Sequence, residues 1–239
     1  MSTPISQETL ALLTCASTAT LTTQLFKRGL RNTFLAGVSP LNNGTSRMVG
    51  EAFTLRYIPV REDIDILEVF DDYDHPQRKA IESVAPCQVL VMDCRQQIRA
   101  ASAGEILLTR LMRRGGAGLV TDGALRDSPA IADLPIPTFT AGVSAMTNLA
   151  QHHAVDMQVP IGCAGVPVYP GDVLVGDEEG VVCIPRHLVH EIAEPAAEQE
   201  QLEDYLLAKV DAGSPLRGTY PPDADTLAEY RDHLKQQRR

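Results

Sequence analysis

Apolar residues recur at helical spacing in two stretches near the start of the chain, from Ser6 to Leu13 and from Ser17 to Arg28. Serine is a favoured N-cap because its hydroxyl accepts a hydrogen bond from a free amide of the first turn. We therefore predict one helix after Ser6 and a second after Ser17, with Gly29 ending the second helix.

Strand patterns follow. Residues 40–50 are rich in Asn, Gly and Pro, which predicts a loop. Residues 52–58 alternate apolar and polar side chains, as a half-buried strand does, whereas residues 88–93 form a continuous apolar run that predicts a more deeply buried strand.

Residues 88–142 repeat strand and helix patterns. A helix is predicted over 104–116, with an apolar stripe and a glycine stop at Gly115 or Gly116. A strand over 117–121, a turn and a strand over 136–142 follow. Such alternation favours a fold of the α/β class.

The last part of the chain combines hairpins and helices. After Val159 the sequence is dense in Val, Ile, Gly and Pro, which predicts short antiparallel strands. A long helix is predicted from Pro185 to about Asp211 with an interruption near Pro195, and Asp225 is the predicted cap of a final amphipathic helix. We find no linker-like segment and predict a single domain over residues 1–239.

Composition narrows the classes of protein. The 239 residues carry a formal net charge of −10, which argues against nonspecific nucleic-acid binding because that requires a basic surface. No apolar segment approaches the ~20 residues that span a bilayer, and no secretory signal is recognisable. We expect a cytoplasmic protein that binds neither membranes nor nucleic acid.

The five cysteines predict neither a disulfide framework nor a zinc site. Their number is odd and none forms a CxxC pair, so we expect reduced core thiols. They are Cys15, Cys87, Cys94, Cys163 and Cys183.

Two neighbouring motifs carry candidate chemistry. "AGEILL" opens the helix over 104–116, where unpaired first-turn amides and the helix dipole favour an anion, and Gly104 lets a ligand approach the backbone. "TDGALRD" follows the next strand, at the end where open α/β sheets bind ligands. Arg126 can clamp a carboxylate and Asp127 can hold Mg²⁺ or Mn²⁺, while Asp122 is assigned to stabilising the turn. Either motif alone is more often an ordinary helix start or a solvated turn.

Taken together, the motifs resemble the RraA-like family. The segment "GEILLTRLMRRGGAGLVTDGALRD", the later "PVYPGDVLVGDEEGVVCIP" and a Glu-rich helix carry the resemblance over about residues 45–215. It implies a three-layer α/β/β sandwich similar to the swivelling phosphohistidine domain. The resemblance also implies a homo-oligomer, either a trimer or a dimer of trimers. We expect a helical extension over 1–44 and a C-terminal helix over 216–239 to flank this core.

The resemblance also implies roles for particular residues. In the metal-dependent aldolases of the family, helix-start amides and an arginine bind the pyruvate carboxylate and the next aspartate anchors the divalent ion. Carried over, Ile106 and Leu107 supply amides beside Gly104, Arg126 binds the substrate, and Asp127 holds Mg²⁺ or Mn²⁺. Glu105 corresponds to an acidic residue that acts through a water. A glutamate from a neighbouring subunit corresponds best to Glu203, with Glu200 as the alternative.

The implied reaction is retro-aldol cleavage of a 4-hydroxy-2-oxo acid to pyruvate, with oxaloacetate decarboxylation as a side activity. The developing enolate needs a cation, which a metal and Arg126 can supply. No lysine lies near the motifs, so a Schiff-base mechanism is disfavoured. The alternative is a noncatalytic RraA-type protein that binds and inhibits a ribonuclease.

Three further features have less specific interpretations. The pairs His152–His153 and His187/His190 are more often solvated than metal-binding. Residues 61–65, "REDID", form a predicted surface turn that could instead line a substrate pocket.

Overall fold

Strands and helices alternate through most of the chain in the computed structural model, which describes residues 5–42, 44 and 47–237. In this part the helices are α1 (Gln7–Cys15), α2 (Thr18–Lys27), α3 (Pro76–Ser83), α4 (Glu105–Arg113), α5 (Ser128–Ala132), α6 (Val189–Asp211), α7 (Leu216–Thr219) and α8 (Ala224–Gln237). The strands are β1 (Ser39–Pro40), β2 (Met48–Pro59), β3 (Gln88–Asp93), β4 (Ala101–Ala103), β5 (Gly118–Leu125), β6 (Thr138–Val143), β7 (His152–Met157), β8 (Ile161–Cys163), β9 (Val166–Val168), β10 (Val173–Asp177) and β11 (Gly180–Ile184).

A mixed sheet forms the centre of the protein. Its strand order is β1-β6-β5-β3-β2-β10-β11, and β4 and β7 pair with β5 and β2. The strands β2, β3, β5 and β6 run parallel to one another, whereas β10 and β7 are antiparallel to β2. β8 and β9 form a separate hairpin. The predicted α/β class is confirmed, while the three-layer α/β/β sandwich resembling the phosphohistidine domain stays a prediction.

Both faces of the sheet are buried, which explains the continuous apolar run of β3. Leu90 and Met92 pack with residues of α3 and α4 on one face. Val89 and Val91 pack with the β8–β9 hairpin on the other. Because successive side chains of a strand point to opposite faces, a strand covered on both sides needs apolar residues at every position.

The N-terminal helices are confirmed with their predicted caps. The Ser6 hydroxyl accepts a hydrogen bond from the Thr9 amide at 3.1 Å, and the Ser17 hydroxyl accepts one from the Thr20 amide at 3.1 Å. A second residue stabilises the start of α2. The Asp177 carboxylate accepts hydrogen bonds from the Thr18 amide at 2.7 Å and the Thr18 hydroxyl at 2.8 Å. Asp177 therefore anchors α2 to the β10–β11 hairpin.

The predicted interruption at Pro195 is wrong, because α6 runs through it without a break. A proline lacks the amide that would donate to the carbonyl four residues earlier, here that of Glu191. The Arg28 guanidinium supplies the missing donor, at 3.1 Å from the Glu191 carbonyl oxygen. The same side chain forms an ion pair with the Glu191 carboxylate at 2.7 Å.

Other boundaries also differ from the predictions. β2 begins at Met48, inside the predicted loop 40–50, of which residues 43, 45 and 46 lie outside the described residues. His152 and His153 belong to β7, and His152 is buried there, so the prediction of a solvated pair is wrong for His152. Asp223 caps α8 in place of Asp225, since its carboxylate accepts a hydrogen bond from the Thr226 amide at 2.9 Å.

The cysteine prediction holds in part. All five cysteines are free, and Cys94, Cys163 and Cys183 are buried core thiols. Cys15 and Cys87 are exposed, so they are not core residues. Among the described helices, none is long and apolar enough to cross a membrane.

Candidate active site

A cleft of about 570 Å³ opens where α3, β4, the start of α4 and the end of β5 meet. This volume is in the range of about 300–1,000 Å³ that is usual for small-molecule pockets. The segments "AGEILL" and "ALRD" lie in the same wall of the cleft. In sequence they are separated by the rest of α4 and most of β5. Its lining residues are Leu67, Phe70, Tyr73, Gln77, Arg78, Ile81, Glu82, Ala101, Ser102, Ala103, Gly104, Ile106, Leu107, Arg110, Arg126, Asp127, Thr147 and Asn148.

Gly104 is the N-cap of α4 and lies directly against Arg126 and Asp127. A Cβ at this position would come within 2.6 Å of the Asp127 Oδ2 atom and within 3.0 Å of the Arg126 Cγ atom. The backbone of Gly104 is extended, so the need for glycine is steric and does not come from its backbone angles. The absence of a side chain thus creates the space in which the two charged groups lie.

Asp127 connects the two motifs. Its backbone adopts the left-handed conformation (φ 57°, ψ 31°), which Asp and Asn tolerate better than most residues. Its carboxylate Oδ2 accepts a hydrogen bond from the Glu105 amide at 3.2 Å, so Asp127, which lies between β5 and α5, caps α4. Its side chain keeps 42% of its surface exposed.

Arg126 is held by its backbone and leaves its guanidinium in the cleft. Its amide donates to the Ala103 carbonyl oxygen at 3.1 Å, which fixes the end of β5 beside β4. The Nε atom lies 3.5 Å from the Asp127 Oδ2 atom, and the Arg126 side chain is 47% exposed. This half-exposed cation is therefore open to a ligand in the cleft.

The other predicted helix-start residues lie at or near the cleft. Gly104, Ile106 and Leu107 line it. The Leu107 amide already donates to the Gly104 carbonyl oxygen at 3.1 Å, which leaves the Ile106 amide as the better placed of the two predicted donors. Glu105 is exposed and lies outside the residues that line the cleft.

The two candidate glutamates of α6 have different surroundings. Glu200 accepts hydrogen bonds from the Ser17 amide at 3.1 Å and the Ser17 hydroxyl at 3.2 Å, so it caps α2 of its own chain. Glu203 accepts one hydrogen bond, from the Gln199 side chain at 2.8 Å. Of the two, Glu203 has fewer hydrogen bonds within its own chain.

The prediction that Asp122 stabilises a turn is wrong. β5 continues through Leu125, and Asp122 is fully buried within it. Its carboxylate accepts hydrogen bonds from the amides of Cys94 at 2.6 Å, Gln96 at 3.1 Å and Ala164 at 3.0 Å. Asp122 therefore fastens the loops after β3 and β8 to β5.

Other acidic and histidine side chains have structural contacts. The Asp172 carboxylate accepts hydrogen bonds from the amides of Tyr169 and Arg186, each at 2.9 Å. The His153 Nδ1 atom lies 2.5 Å from the Asp65 carboxylate. Asp65 is buried, so it anchors the segment that leads to the 3-10 helix Leu67–Asp71 on the cleft rim.

Sequence analysis did not identify the opposite wall of the cleft. This wall comes from α3 and the preceding 3-10 helix and includes Phe70, Gln77 and Arg78. The acidic segment 61–65, which the sequence analysis named as a possible pocket lining, leads into this wall. It was the one feature of the sequence that pointed to it. Across the described residues, no group of three or more His, Cys, Asp or Glu side chains could hold a metal by itself.

Fold and cleft together define a mixed α/β protein with a cleft at the carboxyl end of the parallel strand β5. The sequence pattern of the RraA-like family (Aldolase/RraA) matches residues 18–183, and the chain belongs to this family.

Relatives in the family carry two kinds of name. A protein of Halalkalibacterium halodurans, provisionally named a 4-hydroxy-4-methyl-2-oxoglutarate aldolase, is 31% identical over 172 residues, which are 72% of this chain and 75% of the relative. The 4-hydroxy-4-methyl-2-oxoglutarate aldolase of Thermus thermophilus is 30% identical over 143 residues, which are 60% of this chain and 79% of the relative. The crystal structure of Streptomyces coelicolor RraAS2, an unusual member of the RNase ES inhibitor RraA protein family, has a TM-score of 0.75 at 29% identity and covers 86% of this chain and 98% of RraAS2.

Proposed function

We propose that this protein is a divalent-metal-dependent aldolase that cleaves a 4-hydroxy-2-oxo acid to pyruvate. The observation that carries the proposal is the close approach of Gly104, Arg126 and Asp127 in one cleft. A cation and a carboxylate 3.5 Å apart, both half exposed, offer a position for an anionic substrate beside a position for a metal ion.

Arg126 binds the 2-oxo acid end of the substrate in this proposal. A guanidinium binds a carboxylate through two parallel hydrogen bonds, which also fix its orientation. Ile106 lines the same cleft in the first turn of α4, and its amide would bind the carboxylate at the positive end of the helix dipole.

Asp127 is the residue that would hold the metal, Mg²⁺ or Mn²⁺. The donor set suits such an ion, since Mg²⁺ is often bound through one or two carboxylates and keeps several waters. When bound, the ion supplies positive charge that stabilises the developing enolate oxygen. We further propose a trimer or a dimer of trimers in which Glu203 of a neighbouring subunit completes the site, because Glu200 is already engaged with α2.

The proton and electron changes are those of a retro-aldol cleavage. The 4-hydroxyl loses its proton, C4 becomes the carbonyl carbon of the departing fragment as the bond between C3 and C4 breaks, and the electron pair of that bond forms the enolate of pyruvate, which then takes up a proton. Glu105 is the proposed base and acts through a water, since it is exposed and lies outside the cleft lining, next to Gly104 in sequence. Arg126 and the helix-start amide hold the carboxylate in place during these steps. Decarboxylation of oxaloacetate gives the same enolate and is the proposed side activity.

Pyruvate release provides the test. The protein should release pyruvate from 4-hydroxy-2-oxo acids, lose this activity with EDTA and regain it with Mg²⁺ or Mn²⁺. Arg126→Ala and Asp127→Ala should each lower the rate by at least about 100-fold. Variants that keep the wild-type rate would refute the assignment of the site.

The second candidate function is inhibition of a ribonuclease. It is favoured by the likeness to Streptomyces coelicolor RraAS2, whose name places it in a family of RNase ES inhibitors. A protein of this kind would bind and inhibit RNase ES and would release no pyruvate under any metal condition. An assay of pyruvate release and an assay of RNase ES inhibition separate the two candidates. If inhibition does not involve the cleft, Arg126→Ala should abolish pyruvate release in an aldolase but leave inhibition unchanged in an inhibitor.

A further inference from the structure

A second arginine, Arg78 of α3, lies in the cleft wall that carries neither predicted motif. It is half buried, and the centre of its guanidinium lies 4.4 Å from the centroid of the Phe70 ring. This stacking orients the guanidinium plane and leaves its edge of N–H donors for other contacts. The partial burial of the guanidinium lowers the pKa of Arg78.

The partners of the cleft arginines differ. Arg110 is neutralised by Glu82, with the Nε and Nη2 atoms each 2.8 Å from a carboxylate oxygen. Arg126 has Asp127 beside it. Among the described residues, no carboxylate forms an ion pair with Arg78. A partly desolvated cation without a carboxylate partner is a costly arrangement unless a ligand supplies the negative charge.

The charge of the cleft lining also favours an anionic ligand. Arg78, Arg110 and Arg126 line it together with two carboxylates, those of Glu82 and Asp127, so the lining has one net positive charge. The whole chain has a net charge of −10. A locally positive cleft in an acidic protein concentrates anions.

The floor beside Arg78 is polar but uncharged. The side-chain amides of Gln77 and Asn148 both donate to the Ser102 carbonyl oxygen, at 2.6 Å and 3.5 Å. Both residues are buried, so these contacts fix the floor. In the described structure the Gln77 Oε1 and Asn148 Oδ1 atoms have no hydrogen-bond partner, and no hydrogen bond joins either side chain to Arg78.

We propose that Arg78, held on Phe70, is a second anion-binding position of the cleft and recognises a carboxylate at the end of the substrate distal to the 2-oxo acid group. This inference rests on the proposed function, in which Arg126 takes the 2-oxo acid end. Arg78 then determines specificity, because it separates dicarboxylic substrates from monocarboxylic ones of the same length.

A pair of ligands that cannot be cleaved tests the inference directly. 2-Oxoglutarate and 2-oxopentanoate have equal chain length and differ in one distal group, a carboxylate in the first and a methyl in the second. With Mg²⁺ present, calorimetry should show that the wild-type protein binds 2-oxoglutarate about 30-fold more tightly, the value expected for a charged hydrogen-bonded contact. Arg78→Gln should remove this preference, and Arg78→Lys should keep part of it.

Two variants separate failure of this inference from failure of the proposed function. Arg110→Gln is the matched control, since it removes an arginine of the same cleft that is already paired, and it should keep the preference. Arg126→Ala should weaken both ligands equally. If Arg78→Gln retains the wild-type preference, or if the wild type has none, the inference is overturned while the role of Arg126 stands. If Arg126→Ala binds both ligands as the wild type does, the proposed function fails as well.

Cleavage rates give a second measurement. The ratio of kcat/KM for 4-hydroxy-2-oxoglutarate over 4-hydroxy-2-oxopentanoate should fall about 30-fold in Arg78→Gln, through the dicarboxylic substrate alone. An equal loss for both substrates would mean that Arg78 supports the fold of the cleft and not its specificity, and would overturn the inference.

Discussion

Asp122 and Asp127 lie five residues apart in one segment and have opposite surroundings. Asp122 is fully buried, and its carboxylate accepts three backbone hydrogen bonds from the loops after β3 and β8. Asp127 is 42% exposed, accepts one amide and lies beside Arg126. A carboxylate whose acceptor positions are filled by backbone stabilises the fold, whereas one with open positions can bind a ligand.

The largest expected effect concerns Asp127. Asp127→Asn should lower the rate of pyruvate release about 1,000-fold, because the amide binds a divalent ion poorly. The free energy of unfolding should change by less than about 1 kcal/mol, since a single exposed helix cap is lost. A coupled pyruvate assay and urea unfolding measure the two quantities. Asp133→Asn, on an exposed residue nearby, should change neither quantity. A large loss of unfolding free energy in Asp127→Asn would show that Asp127, like Asp122, stabilises the fold.

Asp122 should show the reverse behaviour. Asp122→Ala should lower the free energy of unfolding by about 3 kcal/mol, because three amides lose their acceptor in a buried site. Asp93→Ala is the matched control. Asp93 is half-buried and accepts two amides, those of Arg95 and Gly162, so we expect a loss of about 1 kcal/mol. Urea unfolding measures both, and equal losses would contradict the role assigned to burial.

Gly104→Ala sharpens the comparison at the cleft. The added methyl group would displace the Asp127 carboxylate, which can rotate, so activity should fall about 100-fold with a change in unfolding free energy of about 1 kcal/mol. Gly162→Ala is a suitable control, because a Cβ there meets nothing within 4 Å. An active Gly104→Ala protein would show that the carboxylate position is not critical.

The smallest expected effect is a pH dependence of stability. Burial raises the pKa of Asp122 above its ordinary value of 3.8, with the three amide hydrogen bonds acting in the opposite direction. Between 3.8 and the raised value, the folded protein binds more protons than the unfolded chain, so the free energy of unfolding falls as the pH rises. Asp122→Asn lacks this proton, and the stability of the wild type relative to this variant should decline through that window. If the stability of the wild type relative to Asp122→Asn rises with pH, the pKa of Asp122 is lowered and not raised on folding.

The sequence predicts features that depend on near neighbours. The caps at Ser6 and Ser17 act within three residues, and the apolar run of β3 reports burial on both faces. The errors concern distant partners. Asp122 was placed in a turn because its amide donors lie 26 to 42 residues away, and the continuity of α6 at Pro195 depends on Arg28, 163 residues away from Glu191.

The candidate site shows the same division. Local motifs indicate Gly104, Arg126 and Asp127, and the structure adds their close approach. Arg78 was not predicted, because an arginine on an amphipathic helix usually faces solvent. Its importance depends on Phe70 and on the absence of a carboxylate partner in the described structure, neither of which a local pattern reveals.

The left-handed backbone of Asp127 limits how this position can vary between related proteins. Asp and Asn tolerate φ near 57° better than Glu and most other residues with a side chain. A change from Asp to Glu keeps the charge but strains the backbone, and a change to Asn keeps the backbone but loses the charge. Drift at residue 127 should therefore pass through Asn, so that a descendant that gives up the chemistry can still retain the shape of the cleft.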